Sequence, residues 1–335
     1  MKAIALLSGG LDSTLATKII IDQGIDVEAL NFVTVFCTCT THGQTCLASQ
    51  KAVDALGIPL KVFNTSAEFL DTVKHPKHGY GSNMNPCIDC RIFMLKKAKA
   101  YMEESGASFL ITGEVLGQRP MSQRRDAMRL TEKEAGLQGL ILRPLSAKFL
   151  PVTIPEKEGW VDREKLLNMQ GRSRKPQIEL AASFGIRDYP CPAGGCLLTD
   201  PGFAGRLRDV MKYNLDFSLN DVHLLKMGRH FRFSPELKLV VGRTDDENQK
   251  IQTFAHGEDI LLNLAHHPGP LSLLRGKARE DEIRRASAIT VRYSKVKIGE
   301  ETEVIYKKVS EGKSRSMMVS AAPEEEVREY IISHG

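Results

Sequence analysis

The feature that most constrains this chain is a strand-to-helix turn completed within its first twenty residues. Residues 2–7 are a short apolar run, Ser8-Gly9-Gly10-Leu11-Asp12-Ser13 comes next, and Leu15, Ala16, Ile19 and Ile20 then recur at helical spacing. That order reads as strand, loop, helix. Glycines at such a turn let the backbone approach a ligand closely, while the Ser8 and Ser13 hydroxyls and the first helical amides point at it. The arrangement suits phosphate. It is neither a Gly-x-x-x-x-Gly-Lys-Ser loop nor the dinucleotide fingerprint, so an ordinary Gly-rich turn capped by Asp or Ser competes with the phosphate reading.

The segments beyond the turn narrow the fold. Val27–Phe32, Leu60–Phe63 and Phe109–Thr112 read as strands, and Ala48–Leu56 and Arg91–Glu104 as helices. Strands alternating with helices require crossover connections, hence an α/β domain with a parallel sheet and helices on both faces. From Pro144 the chain is punctuated by Pro and Gly, which reads as a connector. Beyond it Leu237–Val241, Ile260–Leu262 and Ile289–Tyr293 are strand candidates, and Pro323–Ile332 reads as a helix, together a smaller α+β domain. A chain of 335 residues exceeds what one core usually serves. The expected division is therefore 1–150, 151–224 and 225–335.

The amino terminus enters the Gly-Gly turn without the apolar region of a signal peptide, and no stretch is long and apolar enough to span a bilayer. The expectation is a cytoplasmic protein without a membrane partner, where thiols stay reduced. The net charge of +5 is concentrated between Arg143 and Arg232. Arg163, Arg172, Arg174, Lys175, Arg206 and Arg208 could follow a phosphate backbone or form a solvated surface.

Seven cysteines, an odd number, in a reducing compartment point to metal, cluster or catalytic thiols rather than to a disulfide framework. Cys87-Ile-Asp-Cys90 has metal-ligand spacing, Cys191 and Cys196 flank a Pro-Ala-Gly-Gly turn, and Cys37, Cys39 and Cys46 form a third group with His42. Three readings compete for Cys87, Cys90 and Cys196: buried small hydrophobes, a structural zinc completed by Cys191, and a [4Fe-4S] cluster. Three protein ligands on a cluster leave one iron open, which serves an enzyme that delivers sulfur.

The Ser8–Ser13 loop resembles the PP-loop of the N-type ATP pyrophosphatases, whose fold is the adenine-nucleotide alpha hydrolase-like sheet. Ile111-Thr-Gly-Glu-Val-Leu-Gly-Gln118, Met121-Ser-Gln123 and Arg143-Pro-Leu145 resemble the corresponding segments of the tRNA 4-thiouridine synthases. The resemblance covers about residues 1–150. It implies cleavage of ATP between its α and β phosphates, with Mg2+, at Ser8, Gly9, Gly10, Asp12, Ser13, Thr112 and Gly113, and with Asn31 and Phe32 beside adenine. Thiouridine synthases that carry a Cys-x-x-Cys and one distant Cys imply Cys87, Cys90 and Cys196 as cluster ligands. Asn85-Pro86-x-x-x-Cys90 and Gly195-Cys196-Leu197 are also similar to the two reactive-cysteine regions of the tRNA 2-thiouridylases. On that route Cys90 and Cys196 would carry and release a persulfide, which requires lowered thiol pKa values.

In the known 4-thiouridine synthases a domain preceding the PP-loop grips tRNA, and none has room before Ser8, so the expectation is that RNA is held elsewhere. Leu239–Asn248, Gly257–Leu261 and His267-Pro-Gly-Pro270 resemble the RNA-binding domain of the NFACT proteins. That implies phosphate contacts from Arg243, Lys250, His267, Arg275 and Lys277, beside Arg172, Arg174 and Lys175 of the connector. The expectation is an ATP-dependent tRNA sulfurtransferase in which a uridine carbonyl oxygen is adenylated and replaced by sulfur, with Asp12, Cys90 and Cys196 in the chemistry. Its partners would be tRNA and a sulfur donor, either sulfide or a persulfide carrier protein; homodimer formation is left open. The competing readings are an amide- or nitrile-forming PP-loop ligase with a structural zinc, and an RNA-binding protein that only senses ATP.

Overall fold

The structure, a computed structural model, describes residues 1–38, 45–187, 189 and 196–332. It divides into two compact units, Met1–Thr199 and Asp200–Gly335. The Pro- and Gly-punctuated stretch is shared between them: residues 151–187 belong to the first unit and 200–224 to the second.

The first unit alternates β1 (Lys2–Leu6), α1 (Leu11–Ile21), β2 (Asp26–Val33), α2 (Thr45–Leu56), β3 (Leu60–Asn64), α3 (Ser66–Lys74), α4 (Cys87–Glu104), β4 (Phe109–Thr112), α5 (Arg125–Ala135) and β5 (Ile141–Leu142). Its strands are parallel, in the order β3-β2-β1-β4-β5. The central strand is covered on both faces. Ala3 and Ala5 pack with Leu11, Leu15 and Ile19 of α1, whereas Ile4 packs with Leu95, Ala98 and Met102 of α4. A strand buried on both sides carries no polar alternation, which is why β1 after Lys2 reads as an unbroken apolar run.

After β1 the chain winds outward to β3 and then returns to lay β4 on the other side of β1. Such a reversal leaves a crevice at the carboxyl ends of the two adjacent strands, where open α/β sheets bind ligands. The Ser8–Ser13 loop leaves β1 at that point. Residues 151–187 close the layer around α1: with α6 (Ile154–Lys157) and α7 (Lys175–Ser183) they bring Val161, Leu166 and Ala181 into the α1 core, and Trp160 stacks on Phe109 at 6.3 Å.

The second unit contains α8 (Pro201–Tyr213), α9 (Leu219–Leu225), β6 (Arg229–Ser234), β7 (Leu237–Val241), α10 (Asp245–Phe254), β8 (Ile260–Leu264), β9 (Ser272–Arg275), α11 (Glu280–Arg292), β10 (Thr302–Lys308), β11 (Ser314–Val319) and α12 (Glu324–Tyr330). Its sheet is antiparallel, in the order β11-β10-β8-β9-β7-β6. One face is covered by Ile283, Ala286 and Ile289 of α11, the other by Leu224 of α9 and Ile251 of α10.

The strand expected at Ile289–Tyr293 is instead the end of α11 and the residue after it. Three acidic residues, Glu280, Asp281 and Glu282, complement the amino-terminal dipole of that helix, and Glu282 accepts from the Arg279 amide at 2.9 Å. Ile283, Ala286, Ile289 and Thr290 then face the sheet at helical spacing, and this burial overrides the strand preference of Ile-Thr-Val. Among the described residues no helix is long and apolar enough to cross a membrane.

Candidate active site

The loop after β1 is drawn tight by its own hydroxyls. Ser13 Oγ donates to the Gly10 carbonyl at 2.9 Å, Thr14 Oγ1 to the same carbonyl at 3.0 Å, and Ser8 Oγ stands 3.3 Å from Ser13 Oγ. Gly9 has a φ of +74°, and a Cβ there would overlap the Ala48 and Ser49 backbone of α2. Gly113, at the end of β4, lies so close to the Asp12–Ser13 backbone that it too has no room for a Cβ. The two glycines thus bring three segments together at the switch point of the sheet.

Asp12, in the first turn of α1, accepts from Gln118 Nε2 at 2.8 Å through Oδ2, while its Oδ1 is buried without a partner. Asn31 donates to the Leu7 carbonyl at 2.7 Å. Phe32, its neighbour in β2, points to the opposite face of the strand, where it packs with Ile4 and Leu30 and meets Phe63 edge-on. Asn31 and Phe32 are therefore not brought together.

Thr112 is buried, and its hydroxyl donates to Glu114 at 3.1 Å. Glu114 holds Arg91 at 2.9 Å and Arg143 at 2.8 Å. Burial opposes its ionisation, but the two guanidinium groups prevail and hold its carboxyl at about 2. This charged knot ties α4, the end of β4 and the Arg143-Pro-Leu segment into one frame.

The thiols gather around the amino terminus of α4. Cys87 opens α4 and Cys90 comes one turn later, its amide donating to the Pro86 carbonyl at 2.8 Å. Cys196 forms an isolated antiparallel bridge with Cys37, and the Leu197 amide donates to the Phe36 carbonyl at 2.9 Å. The two pairs lie within electrostatic reach of each other: Cys196, Cys87 and Cys37 all act on Cys90.

Burial pushes the Cys90 thiol far up, and Cys196 up to about 12. At Cys196 the Leu198 amide and Arg119 work against that rise, while Cys37 and Cys87 add to it. A persulfide route needs the reverse, a lowered thiol pKa, which a cationic centre on the sulfurs would supply. Among the described residues no group of three or more His, Cys, Asp or Glu stands in metal-holding geometry. Cys39, His42, Cys191 and Gly195 lie outside the described residues, as does the side chain of Cys46, so the four-cysteine zinc set is outside them too.

Sequence reasoning leaves two participants without a role. Cys37 is grouped in sequence with Cys39, Cys46 and His42, and nothing local signals that its partner lies far along the chain. Gln118 enters the sequence reading only as part of a motif, yet it contacts Asp12, and the next residue, Arg119, acts electrostatically on Cys87 and Cys196.

The expected RNA contacts are dispersed. Arg172 and Lys175 are exposed beside half-buried Arg174, in a segment that runs past the loop after β4, where the Gly171 amide donates to Leu116 at 2.7 Å. Arg163 is held by Glu156 and by the Ala147 and Leu150 carbonyls. In the second unit Arg243 pairs with Glu247 at 2.7 Å, Lys250 with Asp246 at 2.6 Å, and Arg275 with Asp221 and Asp259. These pairs occupy charges that the resemblance assigned to phosphate. Lys277, Lys308, Lys313 and Arg315 surround a separate cleft between β8, β10 and β11, together with Glu258 and Glu311.

Residues 1–148 match the family model described as Thiamine biosynthesis protein (ThiI), and residues 228–331 match the NFACT protein RNA binding domain. The tRNA-specific 2-thiouridylase MnmA of Marinobacter nauticus is 27% identical over 225 residues, covering 63% of this chain and 54% of that protein. Its counterpart in Pseudomonas putida is 34% identical over 148 residues, 41% of this chain and 37% of the relative. A probable tRNA sulfurtransferase of Methanosarcina mazei is 28% identical over 125 residues, 35% of this chain and 29% of the relative. The chain thus spans about half or less of the curated relatives it matches. Among solved structures, a 4-thiouridine synthetase–RNA complex with bound ATP matches at 21% identity and a TM-score of 0.36, over 55% of this chain and 51% of the other. The chain therefore joins a domain similar to the PP-loop domains of tRNA thiolation enzymes to a domain similar to the NFACT protein RNA binding domain.

Proposed function

We propose that this protein is an ATP-dependent tRNA sulfurtransferase whose first unit carries out adenylation and sulfur insertion and whose second unit holds the RNA. The observation that carries the reading is the pair Gln118–Arg119. Gln118 binds the carboxylate of the phosphate loop, and Arg119 acts on the thiols, so two consecutive residues couple an ATP loop to a sulfur site.

In the first step the loop amides and the amino terminus of α1 hold the outer phosphates of ATP. A uridine carbonyl oxygen attacks the α-phosphorus, its bond to the bridging oxygen breaks, and pyrophosphate leaves. The bare Oδ1 of Asp12 suits a Mg2+ ion accompanying the triphosphate, since a buried carboxylate oxygen without a donor is a cation site in want of its cation. In the second step a sulfur nucleophile attacks the ring carbon bearing the adenylated oxygen, and AMP departs with that oxygen. The target base must leave its stack to reach this crevice.

The thiols fit an iron–sulfur group in donor chemistry. Cys87, Cys90 and Cys196 would hold it, with Cys37 beside Cys196. When bound, such a group offers an iron without a protein ligand, on which sulfide can be presented. The protein's own part is to shield the thiols partly from water, with Arg119 favouring the thiolate of Cys87 and Cys196 electrostatically.

The test uses anaerobically purified protein, tRNA, ATP and sulfide, with pyrophosphate release and thiolated nucleosides measured in parallel. Asp12→Asn is expected to slow both by about a hundredfold or more, as loss of a key electrostatic group does. Cys196→Ser should abolish thiolation while tRNA-dependent pyrophosphate release persists. Thiolation that survives in Cys196→Ser, or tRNA-dependent amide formation without sulfur, would overturn the reading.

A further inference from the structure

Two buried polar atoms without partners lie at the ends of one short relay that leads away from the phosphate loop, Asp12 Oδ1 and Gln177 Oε1, and Arg174, three residues before Gln177, has an unpartnered buried Nε as well. The relay is directional. The Asp12 carboxylate can only accept, so Gln118 must turn its amide nitrogen toward it, at 2.8 Å. That leaves the Gln118 oxygen facing Gln177, which must turn its own nitrogen inward, at 3.4 Å. Gln177 is 1% exposed and cannot reach bulk water, so its oxygen is left bare by construction.

Gln177 lies in the first turn of α7, a nine-residue helix with Arg174 at its amino-terminal cap, and α7 packs against α1. The segment entering it is fixed to the loop after β4, through the Gly171 amide on Leu116 and through Ser146, which accepts from the Leu116 amide at 3.0 Å and donates to Met169. The amino-terminal turn of a second helix, capped by half-buried Arg174, is thus tied to the loop through Gln177 and Gln118, with two bare acceptor oxygens on that path. Two acceptors and one cationic donor are the complement of a metal cation carried on a phosphate chain. The loop itself contains no lysine to meet the outer phosphates.

Resting on the ATP reading, we propose that Arg174 and Gln177 form the second wall of the ATP site. Arg174 binds an oxygen of the β or γ phosphate, and the Gln177 oxygen faces the Mg2+ that accompanies it. Arg174, expected from composition and position to touch RNA, is thereby assigned to the nucleotide.

The experiment is equilibrium binding of α,β-methylene ATP and of AMP to the full chain, with Mg2+ and without RNA, for wild type, Arg174→Ala and Arg174→Lys, alongside tRNA binding without nucleotide. A lost charge-assisted bond corresponds to about ten- to a hundredfold in affinity. Arg174→Ala should weaken the ATP analogue by that factor and leave AMP and tRNA unchanged, with Arg174→Lys in between. Gln177→Met should raise the Mg2+ concentration needed for half-maximal binding of the analogue. Equal binding of the analogue by wild type and Arg174→Ala, an equal loss for AMP, or a loss confined to tRNA overturns the assignment. Wild type that binds no ATP analogue at all overturns the ATP reading beneath it.

Discussion

Lys238 shows what burial does to a single cation. Its ammonium lies in β7 of the second unit, 3.8 Å from Asp209, and burial lowers its pKa to about 7; Asp209 and Asp221 oppose that fall, while Arg232 and Arg206 deepen it. Between about pH 7 and the ordinary lysine value near 10.4 the unfolded chain binds a proton that the folded chain does not. The contribution of Lys238 is therefore least favourable below pH 7, and stability rises with pH through that window. Lys238→Met should remove this slope and stabilise the second unit near neutrality, where charging the buried ammonium is costly. Asp209 is not stranded by the change, because it keeps Arg232 at 2.5 Å. Denaturant titrations at pH 7 and 9 test this: a wild-type stability that does not rise, or a destabilised variant, counts against it. Residue chemistry of this kind is only partly legible in the sequence. Ser8, Asp12 and Ser13 declare themselves by spacing on a turn. Lys238 and Cys37 do not, because their environments come from residues distant in the chain.

At the scale of elements the decisive contact is between the end of β4 and the start of α1. Gly113→Ala would drive a Cβ into the Asp12–Ser13 backbone, and overpacking of that kind costs about 1–3 kcal/mol. The expected result is a lower melting temperature together with weaker binding of the ATP analogue, because on the proposed ATP reading the same backbone carries the amides that meet phosphate. Unchanged nucleotide affinity would mean that the loop does not need this approach. The helices and strands of the first unit are largely readable, since a strand buried on both faces and an amphipathic helix leave different apolar periods. The end of α11 is not. Ile289, Thr290 and Val291 favour strands locally, and only the acidic first turn and the sheet beneath the helix decide otherwise.

The whole molecule consists of two compact units with separate cores, so unfolding should depart from a single two-state transition. Calorimetry is expected to resolve two transitions. Mg2+ and the ATP analogue at a hundredfold over the dissociation constant should raise only that of the first unit, by roughly 5–10 °C. One transition shifted as a whole would show that the units melt together. By itself the sequence determined the parallel sheet, the glycine-rich loop on its first turn, the change of texture after Pro144 and the two resemblances. These are encoded in short windows, where period, turn chemistry and capping act between near neighbours. Tertiary structure alone decided that Cys37 stands across from Cys196, that Gln118 and Gln177 relay from Asp12 to α7, and that Arg275 is occupied by Asp221 and Asp259. Most of those relations join residues far apart in the chain, and only the packing of β4, α7 and the second sheet brings them within bonding distance.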